Sequence, residues 1–227
     1  MPDSQEPASD ILTIDVVSDV VCPWCYIGKK HLDDALAVWR TRHPDAPEPA
    51  VAWHPFQLNP GMPAAGMERG AYLLAKFGNA SGGPGYSRVV AAAQAAGLVF
   101  NPQNIRRQPN TLRAHALIGA AASGQQQQRL VAALFQAYFV DGLDIGDPEV
   151  LRAIALGAGL DETSVAAARD ETALGATAKE DERLRDAGIG GVPFFIFGQR
   201  VAVSGAQGAE ALLDAFERAP RGRSAGD

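Results

Sequence analysis

Hydrophobic and polar positions along the chain first follow the pattern of a strand, a helix and a second strand. Residues 11–17 and 51–56 are rich in β-branched and aromatic side chains, which favours buried strands. Between them, small and apolar residues recur at steps of three and four, which predicts one buried helical face. That face consists of Cys25, Gly28, Leu32, Ala35, Leu36 and Trp39. Two strands joined by a helix predict a right-handed crossover with parallel strands.

The pattern becomes helical from about residue 67 to residue 187 and returns to strands only near the end of the chain. Residues 194–197 and 200–203 flank Gly198-Gln199, a pair suited to a type II′ hairpin, and residues 209–218 predict a closing helix. The predicted fold is therefore α/β and thioredoxin-like, in the order β-α-β…β-β-α, with a large all-helical insertion.

The same pattern predicts how the chain is divided into domains. Residues 11–66 and 188–219 form a discontinuous thioredoxin-like domain, and residues 67–187 form the helical insertion domain. The polar residues 1–10 and 220–227 are predicted to be a disordered N-terminus and a disordered tail.

Composition and charge narrow the function classes. The formal net charge of -6, with no basic cluster, argues against nucleic-acid and anionic-membrane partners. No apolar run reaches the roughly 18 residues of a membrane span, and residues 1–10 lack the features of a secretory signal. A cytoplasmic protein is expected, and both a monomer and a homodimer remain open.

The chemistry centres on Cys22-Pro23-Trp24-Cys25, which contains the only two cysteines of the chain. Thiols at i and i+3 of a helix are neighbours, close enough for a disulfide. A lone CxxC in a reducing compartment is typical of redox chemistry, with a zinc half-site and a structural disulfide as the alternatives. Zinc would need two further ligands, and the sequence has no second CxxC. No metal site is predicted.

The position of each cysteine suggests its role. Cys22 falls at the predicted helix N-terminus, where unpaired N–H groups and the helix dipole favour a negative charge. Since the thiolate is the attacking species, we assign Cys22 as the nucleophile. Cys25 lies one turn deeper and is assigned as the resolving thiol. Pro23 and Trp24 are expected to contact substrate, and Trp24, Phe56 and Met62 are candidates for an apolar collar around the dithiol.

Several segments together carry a resemblance to a known family. They are residues 20–29, 109–111, 114–115, 134–139, 144–145, 191–195 and 204–207. In this order they resemble the DsbA family of thiol:disulfide oxidoreductases, and more narrowly its FrnE-like branch, from about residue 11 to residue 216. Proteins of the 2-hydroxychromene-2-carboxylate isomerase and kappa-class glutathione transferase type share that fold, but typically have a serine-based glutathione site instead of CxxC.

The resemblance also assigns a role to Val192-Pro193. A proline that opens a strand is ordinarily trans, whereas the family places a cis-proline beside the CxxC. On this basis we expect a cis Val192–Pro193 bond and a Val192 backbone that binds an extended substrate as an added strand. The same resemblance implies dithiol–disulfide exchange with a thiol- or disulfide-containing protein or small molecule. It implies no tightly bound cofactor, with glutathione as a candidate redox partner.

Two functions of other classes remain open at this point. One is a glutathione-dependent isomerase or transferase, and the other is a non-catalytic holdase that binds exposed apolar segments. Three polar residues are candidates for the site, and for each a structural role is favoured. Asn110 is expected to be a helix cap, His115 a packed helix residue and Asp19 a turn or cap residue.

Overall fold

The computed structural model describes residues 11–219, so the two predicted disordered ends lie outside the described residues. The strands are β1 (Thr13–Ser18), β2 (Ala50–Pro55), β3 (Met67–Glu68), β4 (Arg107–Gln108), β5 (Phe194–Phe197) and β6 (Val201–Ser204). The helices are α1 (Pro23–Arg42), α2 (Arg69–Phe77), α3 (Gly83–Ala95), α4 (Leu112–Gly119), α5 (Gly124–Phe135), α6 (Pro148–Gly157), α7 (Glu162–Ala167), α8 (Glu171–Asp186) and α9 (Ala209–Arg218).

A four-stranded sheet in the order β2-β1-β5-β6 forms the centre of the fold. β1 and β2 are parallel, as the strand–helix–strand pattern predicted, and β5 runs antiparallel to both of its neighbours. β1 is therefore an inner strand although it comes first in sequence. This arrangement places the end of β1, which leads into Cys22, beside the start of β5.

Helix α1 covers the sheet with the face that its periodicity predicted. All six predicted residues are buried, together with Ile27. Helix α9 packs against the same helix, where the ring of Phe216 stacks on Trp39 at 5.9 Å and contacts Phe197 at 5.0 Å. These aromatic contacts connect the C-terminal part of α1 to β5 through α9.

The prediction of an all-helical insertion is wrong in one respect. β3 and β4 pair antiparallel, with Met67 opposite Gln108 and Glu68 opposite Arg107. Strands of two residues are too short to show alternation, so the sequence pattern contains no signal for them. The helix that contains the aromatic residues 134–139 also changes form, because Gln136–Val140 is a π-helical segment that follows α5.

The structure corrects two local predictions, one of a turn type and one of a helix cap. Gly198 and Gln199 both have positive φ, 54° and 58°, which is the pattern of a type I′ turn rather than type II′. The N-cap of α4 is Thr111, not Asn110. Asn110 still has a capping role, since its side-chain oxygen accepts from Leu112 N at 3.0 Å, while its amide donates to the Met62 carbonyl at 2.7 Å.

None of the helices within residues 11–219 combines the length and the apolarity that crossing a membrane requires.

Candidate active site

The backbone at the start of α1 presents Cys22 at the helix N-terminus. Cys22 is the N-cap residue and Pro23 occupies the first turn, where its missing N–H costs no hydrogen bond. The Cys22 carbonyl accepts from Cys25 N at 3.0 Å and from Tyr26 N at 3.2 Å, and Cys22 N donates to the Asp19 carbonyl at 3.0 Å. The Cys22 side chain makes no capping hydrogen bond, and the residue is 3% exposed.

The start of β5 supplies the second half of the site. The Cys22 thiol donates to the Val192 carbonyl oxygen at 3.8 Å, and the following Val192–Pro193 peptide bond is cis, which confirms the expectation drawn from the family resemblance. The Pro193 carbonyl accepts from Gly205 N at 2.8 Å, which ties this turn to the end of β6. The fold thus brings together Cys22, Val192 and Pro193 at one end of the inner strands β1 and β5.

Both thiols are free and buried, and the surroundings of Cys25 change the pKa of its thiol. Cys25 is 1% exposed, and burial raises the pKa of its thiol well above the ordinary value. The hydrogen bond with the Cys22 side chain and the charge of Cys22 raise it further, whereas the Ser18 hydroxyl and the Asp19 backbone lower it. Cys25 therefore stays protonated under conditions in which an ordinary thiol would ionise.

Asp19 lies at the site in a role that sequence reasoning did not find. Its side chain is fully buried, and Oδ2 accepts from Leu58 N at 2.8 Å. Oδ1 accepts from Val21 N at 3.4 Å and lies 3.4 Å from Nε2 of the buried His115. One carboxylate thus connects the active-site turn, the loop after β2 and helix α4. The available signal was a carboxylate placed between a buried strand and the CxxC.

Of the three residues considered for an apolar collar, only Trp24 faces solvent. It is 40% exposed, whereas Phe56 and Met62 are 2% and 8% exposed. The Phe56 ring packs beneath the Arg185 guanidinium at 3.9 Å. Phe56 and Met62 therefore serve as packing residues, and Trp24 is the exposed aromatic side chain next to the dithiol.

A second polar region lies where β2 meets α4 and α8. A cavity of about 220 Å³ there is lined in part by Trp53, His54, His115 and Glu180. His54 Nε2 lies 2.9 Å from Asp15 Oδ1, and its Nδ1 lies 2.8 Å from Glu180 Oε1. The hydrogen bond with Asp15 raises the pKa of His54 most, with Glu180 adding to it and burial opposing it.

Within the part of the chain that the structure describes, no three or more histidine, cysteine, aspartate or glutamate side chains are grouped so as to hold a metal ion.

Comparisons with known proteins fit this geometry. The model of the DSBA-like thioredoxin domain matches residues 13–217. The crystal structure of probable DsbA oxidoreductase SCO1869 from Streptomyces coelicolor superposes with a TM-score of 0.77 at 30% identity, covering 95% of this chain and 93% of that chain. The uncharacterized protein YwbO from Bacillus subtilis is 26% identical over 91% of this chain and 94% of its own length.

A more distant structure shares the fold alone. The cytosolic disulfide reductase DsbM from Pseudomonas aeruginosa, solved with GSH, has a TM-score of 0.61 at 20% identity, covering 85% of this chain and 89% of that chain. Together with the sheet order, the family match confirms the predicted thioredoxin-like fold and the resemblance to DsbA proteins. The chain belongs to the DSBA-like thioredoxin domain family.

Proposed function

We propose that this protein is a dithiol–disulfide oxidoreductase whose Cys22–Cys25 pair exchanges electrons with a substrate through a mixed disulfide at Cys22. The observation that carries the proposal is the placement of the Cys22 sulfur. It lies at a helix N-terminus, 3.8 Å from the Val192 carbonyl of the neighbouring strand and one helical turn from the buried Cys25. A substrate cysteine that lies along Val192 would meet the Cys22 sulfur directly.

In the reductive direction, the Cys22 thiolate attacks one sulfur of a substrate disulfide. A Cys22–substrate disulfide forms, and the other substrate sulfur leaves as a thiolate. Cys25 then loses its proton and attacks the Cys22 sulfur, which closes the Cys22–Cys25 disulfide and releases the second substrate thiolate. Two electrons pass to the substrate. In the oxidative direction the same steps run in reverse, beginning with a substrate thiolate that attacks Cys22.

The burial of Cys25 supports its role as the resolving thiol. The pKa of Cys25 is raised by burial, so Cys25 is a poor nucleophile toward free disulfides. It acts only after the mixed disulfide has placed an electrophilic sulfur next to it, one helical turn away. Cys22 is the N-cap residue of α1, with its sulfur beside the Val192 carbonyl, and is therefore assigned as the sulfur that bonds to the substrate.

The partner is inferred from the chemistry of the site. We assign a thiol- or disulfide-containing protein or small molecule as the substrate, with glutathione as the candidate that returns Cys22–Cys25 to its active form. The GSH-bound DsbM structure, which shares the fold, supports testing glutathione first.

The test of the function is reduction of insulin disulfides with dithiothreitol as the electron source. The wild-type chain is expected to accelerate the reaction, and Cys22→Ser is expected to reduce the rate to that without protein. Trp39→Phe, a change in the core away from the sulfur atoms, serves as the control for general loss of structure. Full activity in Cys22→Ser would contradict the proposal and favour a binding function in which the cysteines take no part.

A further inference from the structure

Helix α1 approaches the start of β5 more closely at Gly28 than any residue with a side chain would allow. A Cβ atom placed on Gly28 would lie 2.9 Å from Pro193 Cγ and 3.2 Å from Phe195 Cζ. Glycine is unfavourable in the interior of a helix, yet Gly28 lies in the second turn of α1. Its presence there is explained by the contact with the Pro193 ring, not by the needs of the helix.

The groups that face Gly28 are held from the other side. The Pro193 carbonyl accepts a hydrogen bond from Gly205 N at 2.8 Å. Phe195 is fully buried and pairs with Val16 of β1. An added methyl group therefore displaces the turn at Val192 and Pro193, because the strand that follows it cannot move without breaking sheet hydrogen bonds.

Val192 is the residue whose carbonyl lies against the Cys22 sulfur. We infer that Gly28 is a positioning residue for the reaction: by letting α1 contact the Pro193 ring directly, it sets the spacing between the Cys22 sulfur and the substrate-binding turn. This inference rests on the proposed function. It extends that function because it makes the fit of an extended substrate depend on Gly28, a residue that contacts neither the substrate nor the sulfur atoms.

The test separates substrate positioning from thiol chemistry. In Gly28→Ala the KM for insulin in the reductase assay is expected to rise about tenfold, because displacements near 1 Å at a reacting centre have effects of that order or larger. Alkylation of Cys22 by iodoacetamide, which is small and does not need the Val192 turn, is expected to stay within about twofold of wild type. A variant damaged only in its fold would change both the KM for insulin and the rate of Cys22 alkylation.

Gly175→Ala is the matched control. It makes the same change inside helix α8, where the added Cβ would meet nothing within 4 Å. It is expected to leave KM unchanged and to raise the melting temperature slightly, because alanine is the better helix former.

A double-mutant cycle with Pro193→Ala identifies the contact. Pro193→Ala removes the nearest atom that the new Cβ would meet, Pro193 Cγ, and leaves Phe195 Cζ at 3.2 Å. Gly28→Ala should therefore have a clearly smaller effect in that background than in wild type. If Gly28→Ala alone fails to fold while the double variant folds, the contact is likewise supported. If neither folds, or if the two effects simply add, the Pro193 contact is not the cause and the inference is overturned.

The remaining outcomes separate this inference from the proposed function. Insulin reduction that depends on Cys22 but has the same KM in Gly28→Ala overturns the role of Gly28 alone. An equal loss of alkylation and turnover also overturns it, since the effect would then lie in the thiol. Turnover that survives in Cys22→Ser contradicts the proposed function, whatever the result for Gly28.

Discussion

The Cys22 thiol donates a hydrogen bond to the Val192 carbonyl oxygen at 3.8 Å, although the two residues are 170 positions apart in sequence. Cys22 lies at the start of α1, a short turn after β1, and Val192 lies just before β5, which is a neighbour of β1 in the sheet. The site is therefore assembled at the contact between two distant segments. Variants in either segment can test its chemistry.

The first prediction concerns the resolving step. Cys25→Ser should accumulate a mixed disulfide between Cys22 and the substrate, because no sulfur remains to attack it. Incubation with oxidised insulin, alkylation of free thiols and mass spectrometry of the intact protein would show the added mass. Cys22→Ser should form no such adduct. An adduct of equal yield on Cys25 in the Cys22→Ser variant would reverse the assigned roles.

The second prediction concerns the exposed indole next to the dithiol. Trp24→Ala should raise the KM for insulin several-fold and lower the free energy of unfolding by less than about 1 kcal/mol, because the side chain is 40% exposed. The contrasting variant is Trp39→Ala, where the side chain is 3% exposed and the loss should reach about 3–5 kcal/mol. Urea unfolding and insulin reduction measure the two effects. A KM for Trp24→Ala equal to wild type would exclude substrate contact at this ring.

The third prediction concerns the buried carboxylate beneath the active-site turn. Asp19→Ala leaves the Leu58 N–H without its acceptor at 2.8 Å, so it should lower the free energy of unfolding by about 2 kcal/mol. Asp19→Asn retains an acceptor oxygen and should lose less. Urea denaturation of the two variants measures the difference. Equal losses would show that the negative charge, rather than the hydrogen bond to Leu58, stabilises this region.

The fourth prediction is a pH dependence of stability that arises at His54. Its pKa is raised, chiefly by the hydrogen bond with Asp15, so the folded protein binds the proton more tightly than the unfolded chain does. The resulting stabilisation is fully present below the ordinary histidine value of about 6.5. It is lost as the pH rises through the higher pKa of the folded state.

The measurement compares wild type with His54→Gln by urea unfolding at about pH 5.5 and about pH 9, on either side of the ordinary histidine pKa. The difference between the two proteins should be larger at the lower pH. Glu180→Gln removes one carboxylate at 2.8 Å from the ring and should reduce this pH dependence without abolishing it, since Asp15 remains. A difference that grows with pH would contradict the assignment.

Much of the fold followed from local patterns in the sequence. The helical periodicity of Leu32, Leu36 and Trp39 predicted the buried face of α1, and β-branched residues predicted β1. The Cys22 to Cys25 motif at their junction predicts dithiol–disulfide chemistry, which stays a prediction. In each case the pattern is formed by residues close together in the sequence, so one sequence is enough to recognise it. The cis Val192–Pro193 bond needed the family resemblance, because most X-Pro bonds are trans.

The features that sequence reasoning missed depend on contacts between distant segments. Asp19 reads as a turn residue until the fold places Leu58 N and His115 around its carboxylate. Gly28 fits the helical periodicity of α1, and nothing nearby in sequence reveals that the Pro193 ring will occupy the space of its side chain. Gln136–Val140 has the hydrophobic pattern of an ordinary α-helix, yet it forms a π-helical segment.

The inner position of β1 also has a consequence for the order in which the protein is synthesised. β1 leaves the ribosome first, but its neighbour β5 begins at Phe194. Until then the edge of β1 that pairs with β5, from Ile14 to Val17, has no partner strand. Until β5 has been synthesised, the nascent chain thus carries an unpaired apolar strand edge near Cys22, the kind of edge that invites pairing with other chains.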